Sequence, residues 1–160
     1  MDSTVFIRID FPILLNNEKI HFLTTPDVID ELKDFRSKSN FDLLKQSDKI
    51  TITTPMLQTL KKVKEQISKV DPRTKLSPAD ISVLALAFEK ECNLVSHDLA
   101  LQNGASLLKV PIKLFSGKRI RNTYTWSLKC KSCGHLESNS YNNCQNCGGI
   151  LKRIKKKANR

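Results

Sequence analysis

The sequence predicts an α/β domain with a mostly parallel sheet, followed by a small metal-folded module. Three observations predict it. Short apolar runs alternate with helix-like stretches through residue 116, the pattern of βαβ units. Three of the helical stretches open on Thr25-Pro26, Thr54-Pro55 and Ser77-Pro78. Each pairs an N-cap hydroxyl with a proline at the first helical position. Near the C-terminus, Cys130, Cys133, Cys144 and Cys147 form two C-x2-C pairs separated by ten residues.

In order, the first strand is expected over 21–24 and the first helix over 26–37. A second strand covers 50–53, and its helix runs to about residue 70. A loop spans 71–76. The third capped helix runs from Ser77 to about residue 91 and leads into a strand over 94–96. Asp98 is placed to cap a segment over 99–106. The last strand covers 110–115. Residues 117–122 form a basic linker, 123–152 the cysteine module and 153–160 a basic, solvated tail. The α/β body therefore spans 1–116.

Two close thiolate pairs, about a hairpin apart, suit a tetrahedral zinc ion. Gly134, Gly148 and Gly149 follow the pairs and permit the positive φ and close approach of zinc knuckles. The alternative, two structural disulfides, conflicts with the lack of a secretory pattern in the chain. Four thiolates close the coordination sphere, so this zinc is structural. The fifth cysteine, Cys92, reads as a small buried apolar residue.

No apolar run approaches the roughly 18 residues of a membrane span. The net charge of +11 is unevenly placed. Residues 1–116 carry 16 Lys and Arg against 15 acids, a net of +1, whereas 117–160 carry 11 against Glu137 alone, a net of +10. Such a split suggests a polyanionic partner, most simply nucleic acid. Tyr124, Trp126 and Tyr141 could stack on unpaired bases. Trp126 could equally pack the core of the cysteine module.

Parallel α/β sheets place functional groups beyond the carboxyl ends of their strands. Asp98 lies two residues past the strand over 94–96. Asp80 sits in the first turn of its helix, where it could also close a capping box with Ser77. Glu31 falls about 60° from Val28 on the helix over 26–37, at the border of an apolar stripe of Val28, Leu32 and Phe35. A charge there needs a cation or a basic partner. If such acids converge, repulsion raises their pKa values unless a cation sits among them. Mg2+ or Mn2+ suits oxygen ligands and phosphate substrates. The chain has no Walker loop, no G-x-S-x-G and no Cys/His pair arranged for nucleophilic catalysis.

Four stretches carry a family resemblance. They are Asp2-Ser3-Thr4-Val5-Phe6-Ile7, Thr24-Thr25-Pro26-Asp27-Val28-Ile29-Asp30-Glu31-Leu32, Leu76-Ser77-Pro78-Ala79-Asp80-Ile81-Ser82-Val83 and Leu94-Val95-Ser96-His97-Asp98-Leu99. Together with the cysteine module after Trp126, they resemble PIN-domain endonucleases of the Nob type, which mature the small ribosomal subunit. The resemblance covers essentially the whole chain. It implies a PIN-like parallel sheet flanked by helices, with a C-terminal zinc ribbon. It implies that Asp2, Glu31, Asp80 and Asp98 are the catalytic acids and hold Mg2+ or Mn2+. It further implies cleavage of precursor small-subunit rRNA near its 3′ end, in the cytoplasm and on a pre-ribosomal particle. Ribosome assembly proteins are candidate partners, and a membrane is not.

Two features depart from that family. Only Met1 precedes Asp2, where a strand of several residues is expected. His97-Asp98 stands where two consecutive acids are common, with Asp98 the retained ligand. Two alternatives stand beside the nuclease reading. One is a non-catalytic RNA-binding assembly factor; the other is a toxin-like PIN ribonuclease, against which the appended ribbon argues.

Overall fold

The computed structural model describes residues 1–8, 20–137 and 141–158. Helix α1 (Ser3–Arg8) opens the chain, followed by β1 (Phe22–Thr24), α2 (Pro26–Asp30), α3 (Phe35–Gln46) and β2 (Ile50–Ile52). Then come α4 (Leu57–Val70), α5 (Pro78–Glu89), β3 (Leu94–Val95), α6 (Leu99–Leu107) and β4 (Ile112–Lys113). The C-terminal part contains β5 (Tyr124–Cys130), β6 (Leu136–Glu137) and β7 (Leu151–Lys157).

Strands β1 and β2 pair in parallel, as do β3 and β4. Met1 and Asp2 join the two ladders. The Met1 backbone nitrogen donates to Leu23 O at 2.7 Å, and Asp2 N donates to Val95 O at 3.2 Å. Thr24 Oγ1 also donates to Met1 O. The spatial order is therefore β2, β1, residues 1–2, β3, β4. Two residues occupy the middle of the sheet, where the resemblance implies a full strand.

Helix α5 explains the packing. Beyond Asp80 in its first turn it is almost wholly apolar, and Ala79 and Ile81 through Ala87 are all buried. A helix with no polar face has to be covered all round. Phe6 is fully buried and meets Phe41 edge-on, with ring centroids 6.0 Å apart. At the other side of the sheet Phe22 meets Phe115 in the same way.

The single helix expected over 26–37 is two helices. Asp34 caps α3 by accepting from Ser37 N at 2.9 Å, and Ser37 Oγ donates back to Asp34. That cap stops α2 from continuing, because a capping residue takes extended backbone. Phe35, expected on the apolar stripe, consequently faces solvent and is 87% exposed. Val28 and Leu32 are buried as expected. Helix α4 starts at Leu57 behind Met56, two residues later than Thr54-Pro55 suggested. Cys92 is half-buried at the edge of the core.

Residues 153–157, expected in a solvated tail, are the last five of the seven residues of β7. This strand pairs antiparallel with β5 from Tyr124↔Lys157 to Cys130↔Leu151. Its basic side chains read as a charge run, but the backbone completes a three-stranded sheet ordered β6-β5-β7. Residues 159–160 of that expected tail lie outside the described residues, as do 138–140 of the cysteine module.

The segment over 117–122 is pinned by α6. Gln102 donates to Ser96 O and Lys118 O and accepts from Ile120 N. Asn103 exchanges two hydrogen bonds with the Tyr124 backbone. Arg73 donates to Tyr141 O at 2.8 Å, and Arg153 forms a bidentate ion pair with the buried Asp71. These contacts seat the cysteine module against α4 and α6.

Candidate active site and metal centre

Each acid is positioned by a local rule. Asp2 follows Met1 out of the sheet and is 2% exposed. Asp98 caps α6, with Oδ1 accepting from Ala100 N at 2.5 Å and Leu101 N at 3.3 Å. Both cap bonds fall on Oδ1, which leaves Oδ2 as a ligand atom. Asp80 closes a capping box with Ser77, so it too serves as cap and candidate ligand. Glu31 was expected on a helix face. It is instead the exposed C-cap of α2, and α2 is held in place by a 2.7 Å bond between Thr25 Oγ1 and Ser82 Oγ of α5.

Serines tie the acids into pairs. Ser96 Oγ donates to Asp2 Oδ2 at 2.5 Å and accepts from Asp98 N at 2.9 Å. Ser77 Oγ donates to Glu31 Oε1 at 3.0 Å and accepts from Asp80 N at 3.1 Å. Ser3 Oγ reaches the other Glu31 oxygen, at 3.1 Å. Thr4 Oγ1 donates to Asp2 and accepts from His97 N. These hydroxyls were missed as site residues, although Ser77 was read as a cap. The available signal was a Ser or Thr within three residues of each aspartate.

The electrostatics are those of a crowded anionic site. Burial pushes the Asp2 carboxyl up to about 6, against opposing hydrogen bonds from Ser96 and Thr4. Asp80 is also raised, first by burial; the Ser77 bonds oppose this and the charges of Asp98 and Glu31 add to it. Among the described residues, no lysine or arginine forms an ion pair with any of the four acids. Asp2 is the buried member, eased in part by the Met1 ammonium; with Asp80, Asp98 and Glu31 beside it, full ionisation of the cluster is favoured by a bound cation. The donor set is all oxygen, which fits a hard divalent ion. The four carboxylates are looser than a closed metal cage. Among the described residues, ligand atoms of three or more such side chains gather within 4.8 Å of one another only at the cysteines.

That second site is compact. Cys130 Sγ lies 3.5 Å from Cys147 Sγ, and Cys133 Sγ lies 3.7 Å from Cys144 Sγ. Four sulfurs about 2.3 Å from one zinc stand about 3.8 Å apart, so the cluster matches tetrahedral zinc and not disulfides. Ser132 N and Cys133 N point at Cys130 Sγ, as a zinc knuckle requires. Gly134 and Gly148 take φ of +75° and +71°. At Gly149 the need is space, since a Cβ would lie 2.7 Å from Ser132 Oγ and 3.1 Å from Cys130 Sγ. The Gly149 N–H favours a thiolate at Cys147, but Cys133 and Cys130 outweigh it and push the thiol up to about 12. Without a metal the thiol stays protonated; a bound cation lets it ionise with its neighbours. Glu137, the single acid of residues 117–160, accepts from Gln145 N and braces the second knuckle. The core of this module is Leu128, Cys130, Cys144 and Leu151. Trp126 lies outside that core, half-buried beneath Arg153, whose guanidinium is 4.4 Å from its ring.

The comparisons agree with this geometry. Residues 1–89 match the family described as the PIN domain of ribonuclease. The chain is 32% identical over 156 residues to endoribonuclease Nob1 of Pyrococcus abyssi, covering 96% of this chain and 91% of that one. Endoribonuclease Nob1 of Methanothermobacter thermautotrophicus is 27% identical over 164 residues, covering 96% of each. The 20S-pre-rRNA D-site endonuclease nob1 of Schizosaccharomyces pombe is 35% identical over 89 residues, 56% of this chain and 22% of that protein. No described helix is long and apolar enough to cross a membrane. A serine-bridged acid cluster at the sheet edge, a four-thiol module and relatives matched over nearly their whole length place the chain in the PIN-domain ribonuclease family, among the Nob1 endoribonucleases.

Proposed function

We propose that this chain is a Mg2+- or Mn2+-dependent endoribonuclease that cleaves precursor small-subunit rRNA near its 3′ end during ribosome maturation. The observation that carries it is the acid cluster, with which no lysine or arginine among the described residues forms an ion pair. Asp2, Glu31, Asp80 and Asp98 would hold the ion, and Cys130, Cys133, Cys144 and Cys147 a structural zinc. A divalent cation there supplies a more acidic water and neutralises charge on the phosphate. The chain's own residues set the stage for it. Ser96 and Ser77 orient the carboxylates pairwise, so no acid has to search for its position. The Asp2 carboxyl, at about 6, is ionised at neutral pH and is protonated on mild acidification.

Residues 117–160, with their net +10, draw RNA through its phosphates. The name of the yeast relative, a 20S-pre-rRNA D-site endonuclease, supports the rRNA substrate, and those of the archaeal relatives support endoribonuclease activity. A cytoplasmic pre-ribosomal particle, with assembly proteins beside it, is the proposed setting. The test is cleavage of an RNA spanning the precursor 3′ end by zinc-loaded protein. A defined cut that requires added Mn2+ or Mg2+ is expected. Tight binding with no cut under either ion would make the protein a non-catalytic RNA-binding factor.

A further inference from the structure

A cavity of about 310 Å3 runs along the seam between α4, α6 and the zinc module. Its volume is at the small end of ligand pockets. The lining is mostly apolar and includes Leu99, Ile120, Tyr124 and Trp126. Tyr124 and Trp126 are two residues apart on β5, so both rings project from the same face of the sheet. Cations roof the rings. Arg153 stacks on Trp126, and Lys155 Nζ lies 3.5 Å from the Tyr124 ring centroid. Their states differ. Arg153 is locked by Asp71, whereas no carboxylate among the described residues pairs with Lys155.

The cavity reaches the helix turn that Asp98 caps. Leu99, half exposed, and Ala100 line it, and both belong to the first turn of α6 that Asp98 caps. An apolar slot edged by aromatic rings and an unpaired lysine complements one kind of chemistry. An unpaired nucleobase brings a flat apolar face, and its phosphate brings the anion. Stacking of this kind tolerates any base, because every base has a π face.

We propose that the seam holds one unpaired nucleotide of the RNA flanking the scissile phosphate. In that arrangement Tyr124 and Trp126 contact the base and Lys155 contacts its phosphate. The zinc module then does more than attract RNA; it forms one wall of a subsite that sets which phosphate faces the acids. This inference rests on the nuclease reading for the identity of the strand, but binding tests it separately from cleavage.

Trp126 is the only tryptophan in the chain, so its emission reports on the seam alone. Zinc-loaded protein without added Mg2+ or Mn2+ is titrated with a short oligouridylate, and in parallel with heparin, a polyanion without bases. Oligouridylate should quench Trp126 saturably, and heparin should not. Ala100→Phe fills the mouth of the slot. It should abolish the quench and weaken oligouridylate binding about 5- to 150-fold, the range for loss of one stacked base. Zinc content and far-ultraviolet circular dichroism show whether that variant is folded. In the wild type, replacing successive nucleotides of the substrate by abasic residues should weaken binding sharply at one position beside the cut. An unchanged Trp126 signal with oligouridylate, an equal response to heparin, or a uniform abasic profile would each overturn the proposal. Quenching without cleavage would leave the subsite standing and refute the nuclease reading; cleavage without quenching would do the reverse.

Discussion

Replacing Asp2 by asparagine should raise the stability of the protein at neutral pH while removing its activity. Asp2 is 2% exposed, and burial carries its carboxyl from 3.8 to about 6. Holding that group ionised at pH 7 without a cation therefore costs about 3 kcal/mol of folding free energy, at 1.36 kcal/mol per tenfold change in proton affinity. The sign follows from the raised value. The folded state binds the proton more tightly than the unfolded chain. The favourable contribution is complete below pH 3.8 and is lost as pH rises through about 6.

Asparagine has the shape of aspartate and no charge. It faces donors from Ser96 and Thr4, so its amide loses part of this hydrogen bonding, but that loss does not vary with pH. The useful quantity is therefore the wild-type stability minus the Asp2→Asn stability. It should fall by up to about 3 kcal/mol between pH 4 and pH 7, equivalent to roughly 6–12 °C in Tm for a chain of this size. The zinc module titrates alike in both proteins and cancels from the difference. Thermal melts of both proteins across this range, without added Mg2+ or Mn2+, measure it. A gap that is constant with pH would refute the claim that Asp2 is a strained buried carboxylate. Saturating Mn2+ at pH 7 should raise that difference again, because the ion relieves the strain in the wild type alone.

Other consequences concern different parts of the molecule. Apparent Mn2+ affinity, measured by isothermal titration calorimetry, should rise as pH passes upward through about 6, since the ion needs Asp2 deprotonated. Gly149→Ala places a methyl against Ser132 and Cys130 Sγ. It should cost about 1–3 kcal/mol of overpacking and release zinc faster to a chelator. Asp71→Asn breaks the bidentate pair to Arg153 and should lower stability by about 1–2 kcal/mol, discounted because Arg153 is partly exposed. Limited proteolysis at residues 117–122 should accelerate in that variant. If about five basic side chains meet phosphates, log K for RNA should fall against log salt with a slope of about −4.

Much of the site was legible because each acid obeys a short-range rule. Ser77-Pro78-Ala79-Asp80 announces a capped helix, and a capped first turn at a parallel sheet edge puts its carboxylate beside the crevice. Asp98 follows a strand and caps a helix for the same reason. The cysteine spacing fixed a tetrahedral cluster through local knuckle geometry. What escaped depends on competition or on distance. The break after Asp30 results from Asp34 and Ser37 capping a new helix, which outweighs the apolar spacing of Val28, Leu32 and Phe35. Helix α1 has only six residues and contains Thr4, Val5 and Ile7, β-branched types with low helical preference. The strand at 151–157 was hidden because it ends in a run of basic residues with no period-two pattern, and strand pairing uses the backbone. The Ser96 bridge joins residues 2 and 98, a contact with no local signature.

The most direct test of the central claim is Asp98→Asn. Asparagine caps a helix as well as aspartate does, so Ala100 and Leu101 keep their acceptor and α6 keeps its start. The substitution removes one negative charge from the acid cluster and little else. Cleavage and binding of the same RNA are measured together, in Mn2+, on zinc-loaded protein. The account predicts that cleavage disappears while RNA affinity and Tm stay within a factor of about two and a few degrees of wild type. Cleavage by Asp98→Asn at the wild-type rate would contradict it.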